Sequence, residues 1–330
     1  MSASSATPAH PSRRHLLAGS AGLALAASAA SLVSPTRAAA AEPAAAELYK
    51  LKPPHLLEAE TLVEYLRLRG GQWDHNRYNV EQADGENLGR TQVTWGRAGH
   101  PEEFENLSQC ASFMTALLEH SYGTGTAYGW ATSAYFDQYF PPKDGSTRTS
   151  SYPNAEDLQA GFLNASAVPH FDPVTKPVNL RPGDIVAWDY DPAVKSTPYT
   201  GHTVLIRSYL GTFASSVDSK LGITGVVPHL FQIVDCTNSP HGGPDLTSRT
   251  SIDRYRAYPD SRAEIADDDS TYTEHSGVGY GHMVFYADPG TDLFAGYRWS
   301  VNSATPQPAV AQPVTGRKQI AAGRVNAFLV

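Results

Sequence analysis

The chain has only two cysteines, Cys110 and Cys236, in 330 residues. Two thiols cannot staple a chain of this length, so the fold must rest on an apolar core and not on a disulfide framework. Basic side chains are also short: 25 Lys and Arg stand against 33 Asp and Glu. Residues 1–40 hold three arginines and no acid, so residues 41–330 carry 22 basic and 33 acidic side chains, a formal net charge of −11. That balance speaks against nucleic acid or an anionic membrane surface as partner. The twelve histidines form no H-x-x-x-H pair, and there is no C-x-x-C. "HGGPD" (241–245), "HSGVGYGH" (275–282) and His170 therefore read as turn or surface histidines, and neither metal nor cofactor is expected. No serine nucleophile elbow and no paired-carboxylate signature stands out. The glycines of "GVGYG" (277–281) do not follow a strand and open a helix, which excludes a nucleotide loop.

What is present begins with an address. "SRRHLL" (12–17) is a paired-arginine segment, followed by a diluted Ala/Gly/Leu run to Val33, then Pro35, Arg37 and an A-x-A cleavage pattern near Ala40. Residues 1–40 resemble a twin-arginine export signal, which implies a periplasmic or secreted protein with no stable membrane anchor after signal removal. No later stretch is long and apolar enough to span a bilayer.

Residues 41–104 read as a helical and loop extension, with Leu56, Leu57, Leu62, Val63 and Leu66 on one helical face before Gly70-Gly71 and a short strand in "TQVTW" (91–95). A second helix is expected from about Glu103 or Leu107 to His120. Residues 122–177 are rich in Tyr, Ser, Pro and Gly and read as a loop-rich surface, whose tyrosines could also line a groove. From Pro182 the period becomes extended: "DIVAW" (184–188), "HTVLIRSYL" (202–210), "FQIVDCT" (231–237), "HMVFYAD" (282–288) and "AGYRWSV" (295–301) are strand-like runs between turn formers. The order, helices first and then a meander of strands, predicts an α+β domain over 105–303, with N-terminal helices packed on a curved antiparallel sheet. Residues 304–330 read as a Pro-rich linker and a tail that could rejoin the sheet. Nothing in the pattern specifies an oligomeric state.

"NLSQCASFMTALLEHSYG" (106–123) places Cys110 at the start of an apolar helical pattern, where it could be a buried thiol, half of a Cys110–Cys236 disulfide, or a nucleophile. A helix N-terminus stabilises a thiolate through its unpaired N–H groups and positive dipole end. The thiolate then needs an imidazole, and the imidazole needs an acceptor to fix its tautomer. His202 opens a strand after Gly201, and Asp235 lies in the following strand, where same-face neighbours can hydrogen-bond. Asn238 is the alternative third residue. His282 is the alternative base, because "GYGHMVFYAD" repeats the Gly-His-strand pattern of "TGHTVLI". Side chains alternate along a strand, so if Asp235 points at His202, Cys236 points away, which sets the triad and the disulfide against each other.

With these residues in view, "QCASFMTALLEHSYG" and "LRPGDIVAWDYDPAVKSTPYTGHTVLIRSYLG" (180–211) resemble the nucleophile helix and the His strand of the NlpC/P60 and CHAP group of papain-like cysteine peptidases. The resemblance covers roughly residues 104–240. It implies a papain-like fold, a Cys110–His202–Asp235 triad, an acyl-enzyme, an oxyanion donor at the Cys110 N–H, and a cell-wall peptide or peptidoglycan substrate. Gln109 stands where the group has Asp, and residues 212–230 are longer than its hairpin. Two other readings use the same residues: a non-catalytic binding protein with a Cys110–Cys236 bridge, and a cysteine acyltransferase or transpeptidase.

Overall fold

The structure is a computed structural model that describes residues 52–69, 73–78, 91–148, 152–189, 201–310 and 318–326. The export signal expected at 1–40 lies outside these residues. The first helix, α1 (Pro54–Leu68), starts with proline at its first helical position, where no N–H is needed, and buries Leu56, Ala59, Leu62, Val63 and Leu66 at helical spacing. Three short strands follow, β1 (Asn76–Tyr78), β2 (Gln92–Thr94) and β3 (Glu105–Ser108), in the order β1-β3-β2. Helix α2 (Cys110–Tyr122) begins later than the sequence pattern suggests, because residues 105–108 are drawn into this small sheet. Tertiary pairing overrides a weak local helical preference there.

Helices α3 (Ser133–Tyr139) and α4 (Ala155–Leu163) and strand β4 (Phe171–Pro173) lead to β5 (Ile185–Asp189), β6 (Gly201–Thr212) and β7 (Val227–Thr237). Then come α5 (Arg249–Ala257), the hairpin β8 (Ala263–Ile265) and β9 (Tyr272–Glu274), and the strands β10 (Gly277–Ala287), β11 (Phe294–Arg298), β12 (Gln307–Val310) and β13 (Lys318–Val325). The main sheet runs β12-β11-β10-β7-β6-β5-β13, and β13 pairs back to β12 at Ala309↔Lys318 and Val310↔Gln319. It is a closed seven-stranded barrel with five α-helices among the described residues. This corrects the expectation of an α+β, papain-like NlpC/P60-type fold with N-terminal helices packed on a curved antiparallel sheet. The closing strands come from the segment that reads as linker and tail: β12 carries Pro308, and β13 ("KQIAAGRV") has few β-branched residues, so neither has a strand signature. The far end of β13 continues past this closure and pairs with β4 at Gly323↔Pro173, Arg324↔Asp172 and Val325↔Phe171.

Alternation sorts the strand residues into two cores. Val186, Trp188, Val204, Ile206, Phe231, Ile233, Met283 and Phe285 fill the barrel, while Leu205, Val234, Cys236, Val278 and Tyr280 face α1 and α2. Residues 213–226 cover a third cluster on β10 and β11, built on Leu221, Leu230, Val284, Tyr286 and Ala295. The tyrosine-rich region is part core and part surface: Tyr122 and Tyr135 are buried, Tyr128, Tyr139 and Tyr152 are half-buried, and Trp130 stacks on Tyr122 and His170 at ring distances of 5.3 and 4.7 Å. No helix among the described residues is long and apolar enough to cross a membrane.

Candidate active site

Helix α2 packs across β6 and β7 and brings its first residue, Cys110, to the rim of the barrel. Gln109 caps this helix: its side chain takes the Ser112 N–H, and its own N–H donates to Ser112 Oγ at 3.0 Å. Cys110 is thus fixed in the turn where the dipole favours negative charge. His202 is the second residue of β6, next to a glycine whose place no side chain can take: a Cβ at Gly201 would lie 2.0 Å from the Trp188 carbonyl oxygen. His202 shares the interior-facing side of β6 with Val204 and Ile206, and Asp235 shares that of β7 with Ile233 and Phe231. They meet there, His202 Nε2–H donating to Asp235 Oδ2 at 2.7 Å. Nδ1 is the nitrogen left for Cys110, whose thiol lies beside His202 and Thr203 and feels the charge of the imidazole.

All three groups are almost inaccessible, Cys110 and His202 at 5% and Asp235 at 0%. Burial alone would raise the Cys110 thiol, but the His202 charge, with the polar groups of His202 and Thr203 beside it, outweighs burial and lowers the pKa. Burial would lower His202, yet the Cys110 thiolate and Asp235 push it up to about 9. Asp235, which burial would raise, is held well below the usual carboxylate range by Arg262 and His241, with hydrogen bonds from His202 and His241. These opposed shifts favour a thiolate–imidazolium pair supported by a buried carboxylate.

The other candidate residues stand apart. Cys236 faces away from Asp235, as alternation requires; its thiol donates to the Ser108 carbonyl at 3.2 Å and burial pushes it up to about 12. Both cysteines are free. Asn238 is exposed in the turn after β7. His282 lies on the outer side of β10 against Tyr258, its rings 5.5 Å apart, and burial lowers it to about 4. Neither Asn238 nor His282 is joined to Cys110.

Three residues that the sequence did not single out complete the site. His241, read from its turn motif as a surface histidine, is 1% exposed and holds Nε2 3.0 Å from Asp235 Oδ2. Arg262, fully buried, sits 2.9 Å from Asp235 Oδ1 in an ion pair whose alignment is not that of a hydrogen bond, and donates to the Asp235 and Gly277 carbonyls. Trp299 stacks on His241 at 4.0 Å and meets His202 edge-on at 4.9 Å. The overlooked signal was the period of two in "GVGYG": a Cβ at Gly279 would lie 2.8 Å from Arg262 Cγ, and one at Gly281 2.5 Å from His241 Cδ2. The bare face of β10 is where these side chains pack.

His202, Asp235 and His241 place three metal-ligand atoms within 4.8 Å of one another. The same atoms are already engaged at 2.7 and 3.0 Å with each other, and Arg262 occupies the cationic position beside the carboxylate, so the set acts as a hydrogen-bonded network. Two clefts, of about 670 and 390 Å³, flank α1, lined by Trp73, Asp260 and Tyr280 in one and Lys52, Arg207 and Tyr209 in the other; neither reaches Cys110.

No known family model matches the chain, and no solved structure matches it. Among curated proteins, an uncharacterized protein of Acanthamoeba polyphaga mimivirus is 23% identical over 254 residues, spanning 76% of this chain and 89% of its own length. The name of that protein states no activity.

Proposed function

We propose that this chain is a thiol hydrolase that cleaves an amide or peptide bond, with Cys110 as nucleophile, His202 as acid and base, and Asp235 as its orienting acceptor. The observation that carries the reading is the buried Cys110–His202–Asp235 relay at the N-terminus of α2. The Cys110 thiolate attacks the carbonyl carbon and a C–S bond forms while the carbonyl electrons move to oxygen. The Cys110 N–H, which the helix does not use, faces that developing charge. As the oxyanion collapses, the C–N bond breaks and the His202 Nδ1 proton goes to the leaving amine. Water then gives its proton to His202 and attacks the thioester, releasing the acid and the thiolate. The paired-arginine segment supports export to the periplasm or medium, and the motif resemblance supports a cell-wall peptide as substrate.

The test is alkylation with iodoacetamide from about pH 5 to 9, with both cysteines mapped by non-reducing peptide mass spectrometry, followed by turnover of cell-wall peptides. Expected are a free Cys110 whose reactivity rises well below the ordinary thiol value of about 8.5 and hydrolysis that disappears on its alkylation. A Cys110–Cys236 bridge, or an ordinary thiol profile at Cys110, refutes the reading. Aminolysis in place of hydrolysis when an amine is supplied would move the chain to the acyltransferase class.

A further inference from the structure

We propose that His241 is a second imidazolium and a positioning residue, which together with Arg262 fixes the carboxylate that His202 depends on; this rests on the thiol-hydrolase reading above. Nδ1 of His241 faces the Trp299 carbonyl oxygen and Nε2 faces Asp235 Oδ2 at 3.0 Å. A carbonyl and a carboxylate only accept, and a neutral imidazole has one N–H, so one contact would set lone pair against lone pair. A doubly protonated ring satisfies both. The backbone agrees in holding the residue still: the His241 N–H donates to Asp260 Oδ2 at 2.7 Å.

The groups around the ring supply the matching charges. Asp235 lies on one side with His202 and Cys110 beyond it; Asp260 lies on another and takes Arg262 Nε at 2.9 Å and Nη2 at 2.7 Å. His282 is kept neutral by burial, and Tyr255 and Tyr272, which border Asp260 and Arg262, are raised by burial and stay neutral. With His241 protonated, the Cys110 thiolate, Asp235 and Asp260 balance His202, His241 and Arg262. A neutral His241 would leave one surplus negative charge among groups that are almost wholly buried, which is costly. The division of Asp235 Oδ2 between two N–H donors, at 2.7 and 3.0 Å, also has a consequence for the reaction. A carboxylate already compensated by His241 and Arg262 holds the His202 proton less tightly, so His202 can surrender it to a leaving amine.

The experiment compares the native chain with His241→Gln, which keeps an N–H donor and removes the charge. The readout is the rate of Cys110 alkylation against pH, which needs no substrate, with a thermal melt to verify folding. In the native chain the profile has a lower step, where the thiolate–imidazolium pair forms, and an upper step, where His202 loses its proton. In the variant the upper step moves upward by about one pH unit, because Asp235, then compensated by Arg262 alone, acts more strongly on His202. A merely structural role would loosen Asp235 and move that step downward. An upper step that is unchanged or lower overturns the proposal while the hydrolase reading stands. An ordinary single-thiol profile in the native chain instead removes the hydrolase reading itself. If the variant does not fold, histidine-selective ¹⁵N NMR of the native chain decides: both His241 ring nitrogens protonated at neutral pH is the expected result, and a neutral tautomer overturns the proposal.

Discussion

The barrel rim pairs a buried cysteine, Cys110, with a buried histidine, His202, the core between the barrel and α1 and α2 holds Cys236 and His55, and the two regions treat these groups oppositely. At the rim, Cys110 is lowered and His202 is pushed up to about 9, since each stabilises the charge of the other and Asp235 completes the chain. In the helix-side core, Cys236 is pushed up to about 12 and His55 down to about 4, in both cases chiefly by burial. Cys236 meets only the neutral groups of Ser108 and Asn106 at hydrogen-bond range, and His55 bridges the Tyr122 hydroxyl and the Gly183 carbonyl at 2.7 Å each. Burial is therefore common to both regions, and a charged partner decides which buried group becomes reactive.

The largest expected effect breaks the cysteine half of this comparison. Cys110→Ala should abolish hydrolysis, by on the order of 10⁴-fold or more in kcat, with little change in the melting curve. Cys236→Ala should leave kcat within about threefold but cost about 1–2 kcal/mol, because it removes a filled core position and leaves Asn106 and Ser108 short of a contact. Equal loss of activity in the two variants would mean that the cysteines do not differ in role.

Next in size is the histidine at the rim. Asp235→Asn should lower kcat by on the order of 10³- to 10⁴-fold, since an amide cannot hold the imidazolium. In the native chain the activity profile should have an acid limb below the ordinary thiol value, set by Cys110, and an alkaline limb near pH 9, where His202 loses its proton. The carboxylate raises His202, so in Asp235→Asn the alkaline limb should move down by about one pH unit or more. A limb that stays in place would remove Asp235 from the relay.

The rim was partly legible in the sequence because its signals are local. A helix start sets Cys110, a glycine before a strand sets His202, and strand alternation separates Asp235 from Cys236. The rest of the site was hidden because it is assembled from loops distant in sequence: His241 follows β7, Arg262 opens the β8 hairpin, and Trp299 follows β11. The alternating glycines of β10 were visible but carry no side chain to suggest what they accommodate. The barrel strands β5, β6, β7 and β10 announced themselves by β-branched and aromatic runs. Closure did not, because the pairing of β12 with β13 depends on only two register pairs across a proline-rich segment. A strand held mainly by its neighbours has little propensity of its own to read.

The smallest effect concerns the histidine away from the rim and should leave catalysis alone. His55 is neutral in the fold, donating Nε2–H to the Gly183 carbonyl and accepting the Tyr122 hydroxyl at Nδ1. Its folded pKa of about 4 lies below the unfolded value of 6.5, so below pH 6.5 the unfolded chain binds a proton that the native state refuses. Stability from this residue is intact above about pH 6.5 and is lost as pH falls towards 4, by about 3 kcal/mol in all. His282, also lowered to about 4, adds a parallel loss of the same sign. Urea unfolding of the native chain and His55→Gln between about pH 7 and pH 4.5 should show a shallower fall for the variant, though not a flat one, because His282 remains. The same slope in both chains would mean that His55 is protonated as readily in the fold as outside it. Burial without a charged partner would then not suffice to separate the helix-side core from the rim.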